Sequence, residues 1–296
     1  MKSINKLSSK TTCRLVGHAY DLGLGQFPAV VRVETTNACN AKCTICPHKD
    51  LRRPITRMDD TLFGQIIDEC ATFGCGEVHL HNFGEPLLDK ALETRVKYAK
   101  DRGLRKVKIF CNGSLLTEKR ARGLIEAGLD EIKISFDGAT QEEFEQIRPP
   151  LKFGTVVENI KQLVALRDEL KSPMRVNVAC CSTSDKAGTM ETLEQLVDGF
   201  SFGKVHNWGS EEYTENRGRI RKPCSRVWRT FTILASGDVS LCCLDYDGQV
   251  ILGQIAPTTS IRDVYHGEAY QRIRALHKQA RQVEIDICRN CTKSFL

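Results

Sequence analysis

Residues 29–46 read AVVRVETTNACNAKCTIC. The first six, AVVRVE, form a short apolar run rich in β-branched valine, which predicts a buried strand. The strand leads into Cys39-x3-Cys43-x2-Cys46, so one loop delivers three thiols. Further strands are predicted at 76–81, 105–111, 131–136 and 174–181. Helical stripes fall between them. Leu62, Ile66, Ile67 and Cys70 follow the capping residues Asp59 and Asp60, and Leu88, Leu92, Val96 and Ala99 follow in turn. Thr117 caps a helix with Leu124 and Ile125 that stops at Gly128; Val156, Ile160, Leu163 and Val164 mark a longer one, and Leu193, Leu196 and Val197 a fifth. Strands alternating with helices predict an α/β class built on a parallel sheet. Repeated crossovers close such a sheet wholly or partly into a barrel, with functional residues at the strands' C-terminal ends.

The 296 residues, 41% of them hydrophobic, suffice for one large domain with an appendage or two modest domains. No apolar run is long enough to cross a bilayer, and Met1 to Lys10 has no apolar core of a signal peptide. The expectation is a cytoplasmic protein with no membrane partner. Fourteen cysteines without an export signal point to metal or redox work rather than disulfides. Cys13, Cys70 and Cys75 lie in no metal-like spacing and read as small buried hydrophobes. The net charge of +6 is mild, and Arg217, Arg219, Arg221, Lys222, Arg226 and Arg229 concentrate it in a stretch that reads as a solvated linker. Nothing resembles a nucleic-acid module, so no nucleic-acid partner is expected.

After Trp208 the chain turns polar, and a boundary is placed there. Residues 228–234 and 239–244 flank Ser236-Gly237-Asp238, a hairpin turn. Ser260 caps a final helix with Ile261, Val264, Tyr265, Ile273 and Leu276, and Cys288-x2-Cys291 follows. The organisation expected is an extension over 1–28, the partial barrel over 29–208 and a smaller domain over 209–296.

Three thiolates from one loop can hold three irons of a [4Fe–4S] cube and leave the fourth iron without a protein ligand. The rival is zinc, which takes four ligands in structural sites, commonly in paired C-x2-C units; His48 is the only nearby candidate for a fourth. On this spacing after the first strand, the sequence resembles the radical SAM superfamily from about residue 29 onward. Asn82-Phe83-Gly84-Glu85-Pro86, after the second strand, is similar to the family's Gly-Gly-Glu motif, which receives the methionine end of S-adenosylmethionine (SAM). Gly84 permits close backbone approach, and Glu85 can accept hydrogen bonds from an ammonium. Cys111-Asn112-Gly113 and Ser135-Phe136-Asp137-Gly138 resemble later family segments. The resemblance therefore implies that Asn82, Gly84, Glu85, Asn112, Ser135 and Arg148 bind SAM. Arg148 is equally readable as a surface arginine before Pro149-Pro150. Two positions depart from the family pattern: Ile45 stands where an aromatic is usual, and Phe83 replaces a glycine. His79 and His81 share one face of their strand and read as structural rather than catalytic.

Cys224, Cys242, Cys288 and Cys291 can ligate all corners of a second cluster, with a zinc ribbon as the rival. Their layout resembles the short twitch form of the SPASM domain. Two [4Fe–4S] clusters and SAM are then the implied cofactors, in a partial (β/α)6 TIM-like barrel with a small C-terminal β-hairpin plus helix auxiliary-cluster domain. Cys243 is surplus: it is either packing or a hydrogen-atom donor, with Cys180 and Cys181 as rival donors. Asp245 and Asp247 read as substrate or proton contacts, or as turn residues. The resemblance implies reductive cleavage of SAM to a 5′-deoxyadenosyl radical, which abstracts hydrogen from a carbinol C–H of a small polar, aminocyclitol-like substrate. A flavodoxin or ferredoxin would supply electrons. Cys243 favours epimerisation as the outcome; alcohol dehydrogenation through the auxiliary cluster and radical modification of a peptide are alternatives. A non-enzymatic zinc or electron-transfer protein is the reading from another class.

Overall fold

The computed structural model describes residues 8–181, 185–208 and 219–295. Most of the polar stretch at the expected boundary, with Arg217, lies outside the described residues. Six strands carry the barrel: β1 (Val30–Val33), β2 (Glu77–His79), β3 (Val107–Cys111), β4 (Glu131–Ser135), β5 (Arg175–Cys180) and β6 (Gly199–Phe202). They lie parallel in chain order. Helices alternate with them: α1 (Ser9–Leu22) precedes β1, followed by α2 (Asp60–Thr72), α3 (Leu92–Asp101), α4 (Glu118–Glu126), α5 (Gln141–Ile147), α6 (Phe153–Glu169) and α7 (Lys186–Leu193). The caps are those expected. The Asp59 side chain accepts from the Thr61 and Leu62 amides, and Thr117 accepts from the Arg120 amide.

The sheet does not close. Beyond β1 it continues through β7 (Thr230–Ile233), β8 (Asp238–Ser240) and β9 (Ile251–Gln254), giving nine strands with β6 and β9 at the edges. β7 pairs parallel to β1, and β8 and β9 add antiparallel. The C-terminal segment is thus hydrogen-bonded directly onto the barrel's first strand. Its helices are α8 (Arg226–Arg229), α9 (Ile261–His266), α10 (Glu268–Lys278) and α11 (Asp286–Arg289). The hairpin is shorter than the sequence predicts, because 226–229 coil into α8, and the final helix breaks at Gly267. Leu196 and Val197 lie beyond the end of α7 rather than within it.

The two faces of the sheet differ in character. Val31, Val78, Ile109 and Ile132 are fully buried under the helices. The inner face is polar. Register sets Arg32 beside His79, His79 beside Lys108 and Lys108 beside Glu131 in one row, with Phe110 beside Lys133 and Lys133 beside Asn177 in the next. A closed TIM barrel fills this space with branched apolar side chains; here it is left to charged groups and a cavity.

Candidate active site

The loop after β1 is held by backbone hydrogen bonds. Lys42 N donates to Pro149 O (2.6 Å), Thr44 N to Ile147 O (2.9 Å) and Cys46 N to Cys43 O (3.1 Å). This fixes Cys39, Cys43 and Cys46 in one wall of a cavity of about 300 Å³. Burial first pushes Cys39 up to about 12 and Cys46 up to about 11; the Ala41 and His48 amides oppose it, while neighbouring thiols add to it. Such thiols keep their protons until a metal displaces them. Cys43 is raised as well, first by burial, while the Arg148 guanidinium opposes the rise with Nη1 3.7 Å from its Sγ. His48 does not line the cavity; its Nε2 is 2.8 Å from the Asn37 carbonyl and its ring stacks on Phe83. The donors that this loop turns to the cavity are therefore three thiols, which fits a cluster with one iron left free.

The same cavity is lined by Asn82, Gly84, Glu85, Asn112, Ser135, Arg148 and Cys243. Gly84 has a φ of +113°, and a Cβ there would lie 2.8 Å from Ala38 O and from the backbone of Asn37. The motif after β2 is thus seated on the cysteine loop, an arrangement secured by Glu85 N donating to Ala38 O at 2.7 Å. The Glu85 carboxylate accepts from Leu87 N (3.0 Å) and Asn112 N (2.7 Å). Burial nevertheless lifts it to about 7. Asn112 Nδ2 donates to Asn40 Oδ1 at 2.8 Å, which ties the end of β3 to the cysteine loop. Arg148 is buried, not a surface arginine. Its Nε donates to Asp137 Oδ2 at 2.8 Å, and Nη2 bonds to the same oxygen.

The departures at Ile45 and Phe83 are accommodated together. Phe83 stacks on Tyr246 (5.1 Å between centroids) and meets Trp208 edge-on (5.8 Å), and Trp208 Nε1 donates to Ile45 O at 3.1 Å. The aromatic wall that position 45 lacks comes from three other segments. Sequence reasoning also missed Glu34, fully buried at the end of β1. Its two oxygens take Arg53 Nη1 and Nη2 (2.8 and 3.1 Å), Asn82 Nδ2 (3.2 Å), Phe83 N (3.3 Å) and Ala235 N (3.1 Å). One carboxylate thus joins the cysteine loop, the motif after β2 and the turn after β7. Its position at a strand's C-terminal end was the available signal. His79 and His81 stack at 5.5 Å, and burial holds both uncharged.

In the C-terminal segment Cys224, Cys242, Cys288 and Cys291 converge. Cys224, Cys242 and Cys288 are raised first by burial; neighbouring thiols, Cys291 among them, add to the rise. Among the described residues no three Cys, His, Asp or Glu side chains close to single-ion distances. A four-iron cube is wider than one ion and needs its thiolates further apart. Cys243 turns from this group into the cavity wall, where burial opposes its ionisation but Arg32 and Arg226 outweigh it. Cys181 also lines the cavity; Cys180 does not. Asp245 is consumed by Gln249 N, Val250 N and Ser240 Oγ, and Asp247 accepts from Arg52 N and Arg53 N. Both secure turns, and neither lines the cavity. No disulfide joins any of the fourteen cysteines, and among the described residues no helix is long and apolar enough to cross a membrane.

Residues 33–174 match the radical SAM superfamily, and residues 224–292 match SPASM, an iron–sulfur cluster-binding domain. The chain is a radical SAM enzyme with a C-terminal SPASM domain, whose cofactors are SAM and [4Fe–4S] clusters, one of them auxiliary. It is 22% identical over 266 residues to the S-adenosyl-L-methionine-dependent 2-deoxy-scyllo-inosamine dehydrogenase of Niallia circulans, covering 89% of this chain and 92% of that one. It is 32% identical to the GTP 3′,8-cyclase of Chlorobaculum tepidum over 48% of this chain and 42% of that one, so it spans less than half of the cyclase. Its fold is like that of BtrN in complex with AdoMet and 2-DOIA, with a TM-score of 0.62 at 21% identity over 89% of this chain and 92% of that chain.

Proposed function

We propose that this enzyme oxidises a carbinol carbon of a small polar molecule to a carbonyl. The observation that carries the reading is that one cavity is lined by cysteines of both regions. One wall holds Cys39, Cys43 and Cys46; another holds Cys243, which adjoins the auxiliary ligand Cys242. A substrate between them lies within reach of both centres. The likeness over nearly full length to a dehydrogenase supports oxidation over the epimerisation that Cys243 suggested.

Bound in these sites, SAM and the clusters would supply a hydrogen-atom acceptor and one-electron carriers, so that the carbinol would lose one hydrogen atom, one electron and, to solvent, one proton. The chain's part is positioning. Glu85 offers its carboxylate to the SAM ammonium, Gly84 and Asn82 shape the floor beneath it, and Asn112 and Ser135 face the nucleoside. Arg148, anchored on Asp137, directs a cation at Cys43 and the open side of the loop. Phe83, Trp208 and Tyr246 exclude water on the side next to Ile45. Cys224, Cys242, Cys288 and Cys291 hold the auxiliary cluster. Residues 29–208 act as the SAM-binding barrel and 209–296 as the auxiliary unit, with 1–28 as an extension. The free thiols suit a reducing cytoplasm, with a flavodoxin or ferredoxin as reductant.

The test is mass spectrometry on the anaerobically reconstituted, reduced enzyme with candidate polyols and aminocyclitols. A product two hydrogens lighter, formed with one equivalent of 5′-deoxyadenosine, is expected. A product of unchanged mass carrying solvent hydrogen, abolished by Cys243→Ala, would overturn oxidation in favour of epimerisation.

A further inference from the structure

Arg32 projects from β1 onto the polar inner face and lines the cavity. It has no hydrogen-bond or ion-pair partner among the described residues, and its Nε is buried without one. Its register neighbour is His79, an imidazole that carries no negative charge in either protonation state and so does not pair with it. The other charged groups lining the cavity are already committed. Arg148 is paired with Asp137, and both Glu85 oxygens accept from backbone amides. On the next row Lys133 sits 5.2 Å from the centroid of the Phe110 ring, which lines the cavity; Lys133 itself does not line it and makes no ion pair among the described residues. Arg32 therefore faces the cavity with no carboxylate partner among the described residues; the one group there that it draws toward negative charge is the Cys243 thiol.

A guanidinium withdrawn from water is costly unless it is paired, and its planar fork matches an oxyanion with two hydrogen bonds. We infer that Arg32 is a substrate-binding residue and that the substrate carries an oxyanion, either a carboxylate or a phosphate monoester. This rests on reading the cavity as the substrate site. It also separates this enzyme from one acting on an aminocyclitol, whose ammonium would meet Arg32 with no acceptor to balance it.

The experiment is calorimetry on the reconstituted holoenzyme with SAM bound. The probes are inorganic phosphate, gluconate, the neutral myo-inositol and the diamine 2-deoxystreptamine. Phosphate or gluconate is expected to bind about tenfold or more tightly than the neutral and cationic probes. Whichever anion is preferred names the group. Arg32→Gln is expected to erase that preference and Arg32→Lys to keep part of it, with iron and sulfide content checked in each variant. Equal binding of all four probes, tighter binding of the diamine, or anion binding unchanged in Arg32→Gln overturns the inference. If neither variant loads iron, the wild-type series decides alone. The hydrogen count of the product is a separate readout. Oxidation with no anion preference removes only the role of Arg32, and anion binding with no loss of hydrogen removes only the oxidation.

Discussion

Cys39, Cys43 and Cys46 come from one loop, whereas Cys224, Cys242, Cys288 and Cys291 are gathered from three separated segments. The loop is fixed by its own backbone hydrogen bonds and by residues 147 and 149, and its thiols face a cavity. The C-terminal group sits on a segment tied to the barrel by the pairing of β7 with β1, and its Cys288 and Cys291 are buried. A site assembled locally keeps an open side for a substrate. A site assembled from distant segments is closed and doubles as a clasp for the fold. Changes at the first should cost chemistry and spare stability; changes at the second should cost both.

The largest effect is predicted for Cys39→Ala. It should abolish 5′-deoxyadenosine formation while the protein keeps about four irons per chain, measured by chromatography and iron analysis. Retention of SAM cleavage would break the contrast. Next is Cys288→Ala, which should retain dithionite-driven SAM cleavage, lose formation of the oxidised product and lower the melting temperature more than Cys39→Ala does. Equal melting temperatures would deny the clasp. Third is Glu34→Ala, at the junction of the two regions. Removing a buried partner of Arg53 and three other donors should cost about 3–5 kcal/mol in urea unfolding. The smallest effect concerns His79. Burial first, then Arg32, holds it down to about 3, although Glu77 at 2.9 Å pulls the other way. The fold thus favours the neutral ring. That contribution is complete above about pH 6.5 and is lost as pH falls toward 3, so stability should drop on the order of 1 kcal/mol by about pH 5.5. His79→Gln should lessen, not abolish, the fall in melting temperature between about pH 8 and 5.5, because burial also holds down His81, His206 and His277, and an unchanged slope would contradict it.

Much of this was legible because the decisive signals are local. The cysteine loop, the Asn82–Pro86 motif and the caps at Asp59, Thr117 and Ser260 each lie within a few residues. The strand β6 was not legible, since GFSF is short and only partly buried at the sheet edge. Nor was α1, whose buried residues are only Thr12, Cys13 and Gly17. The parallel pairing of β7 with β1 joins residues about two hundred positions apart, beyond any periodicity argument. Glu34 and Trp208 escaped for the same reason: each acts through partners distant in sequence. Asp245 and Asp247, open in the sequence between substrate contacts and turn residues, are turn residues whose carboxylates are satisfied by backbone amides.

The contrast between an open and a closed site is tested most directly by electron paramagnetic resonance of two reduced variants, each titrated with SAM. In Cys288→Ala, where the first cluster remains, SAM should shift the signal. In Cys39→Ala, where the auxiliary cluster remains, SAM should leave the signal unchanged. A SAM-induced shift in Cys39→Ala, or none in Cys288→Ala, would contradict the assignment of the open site to the loop after β1.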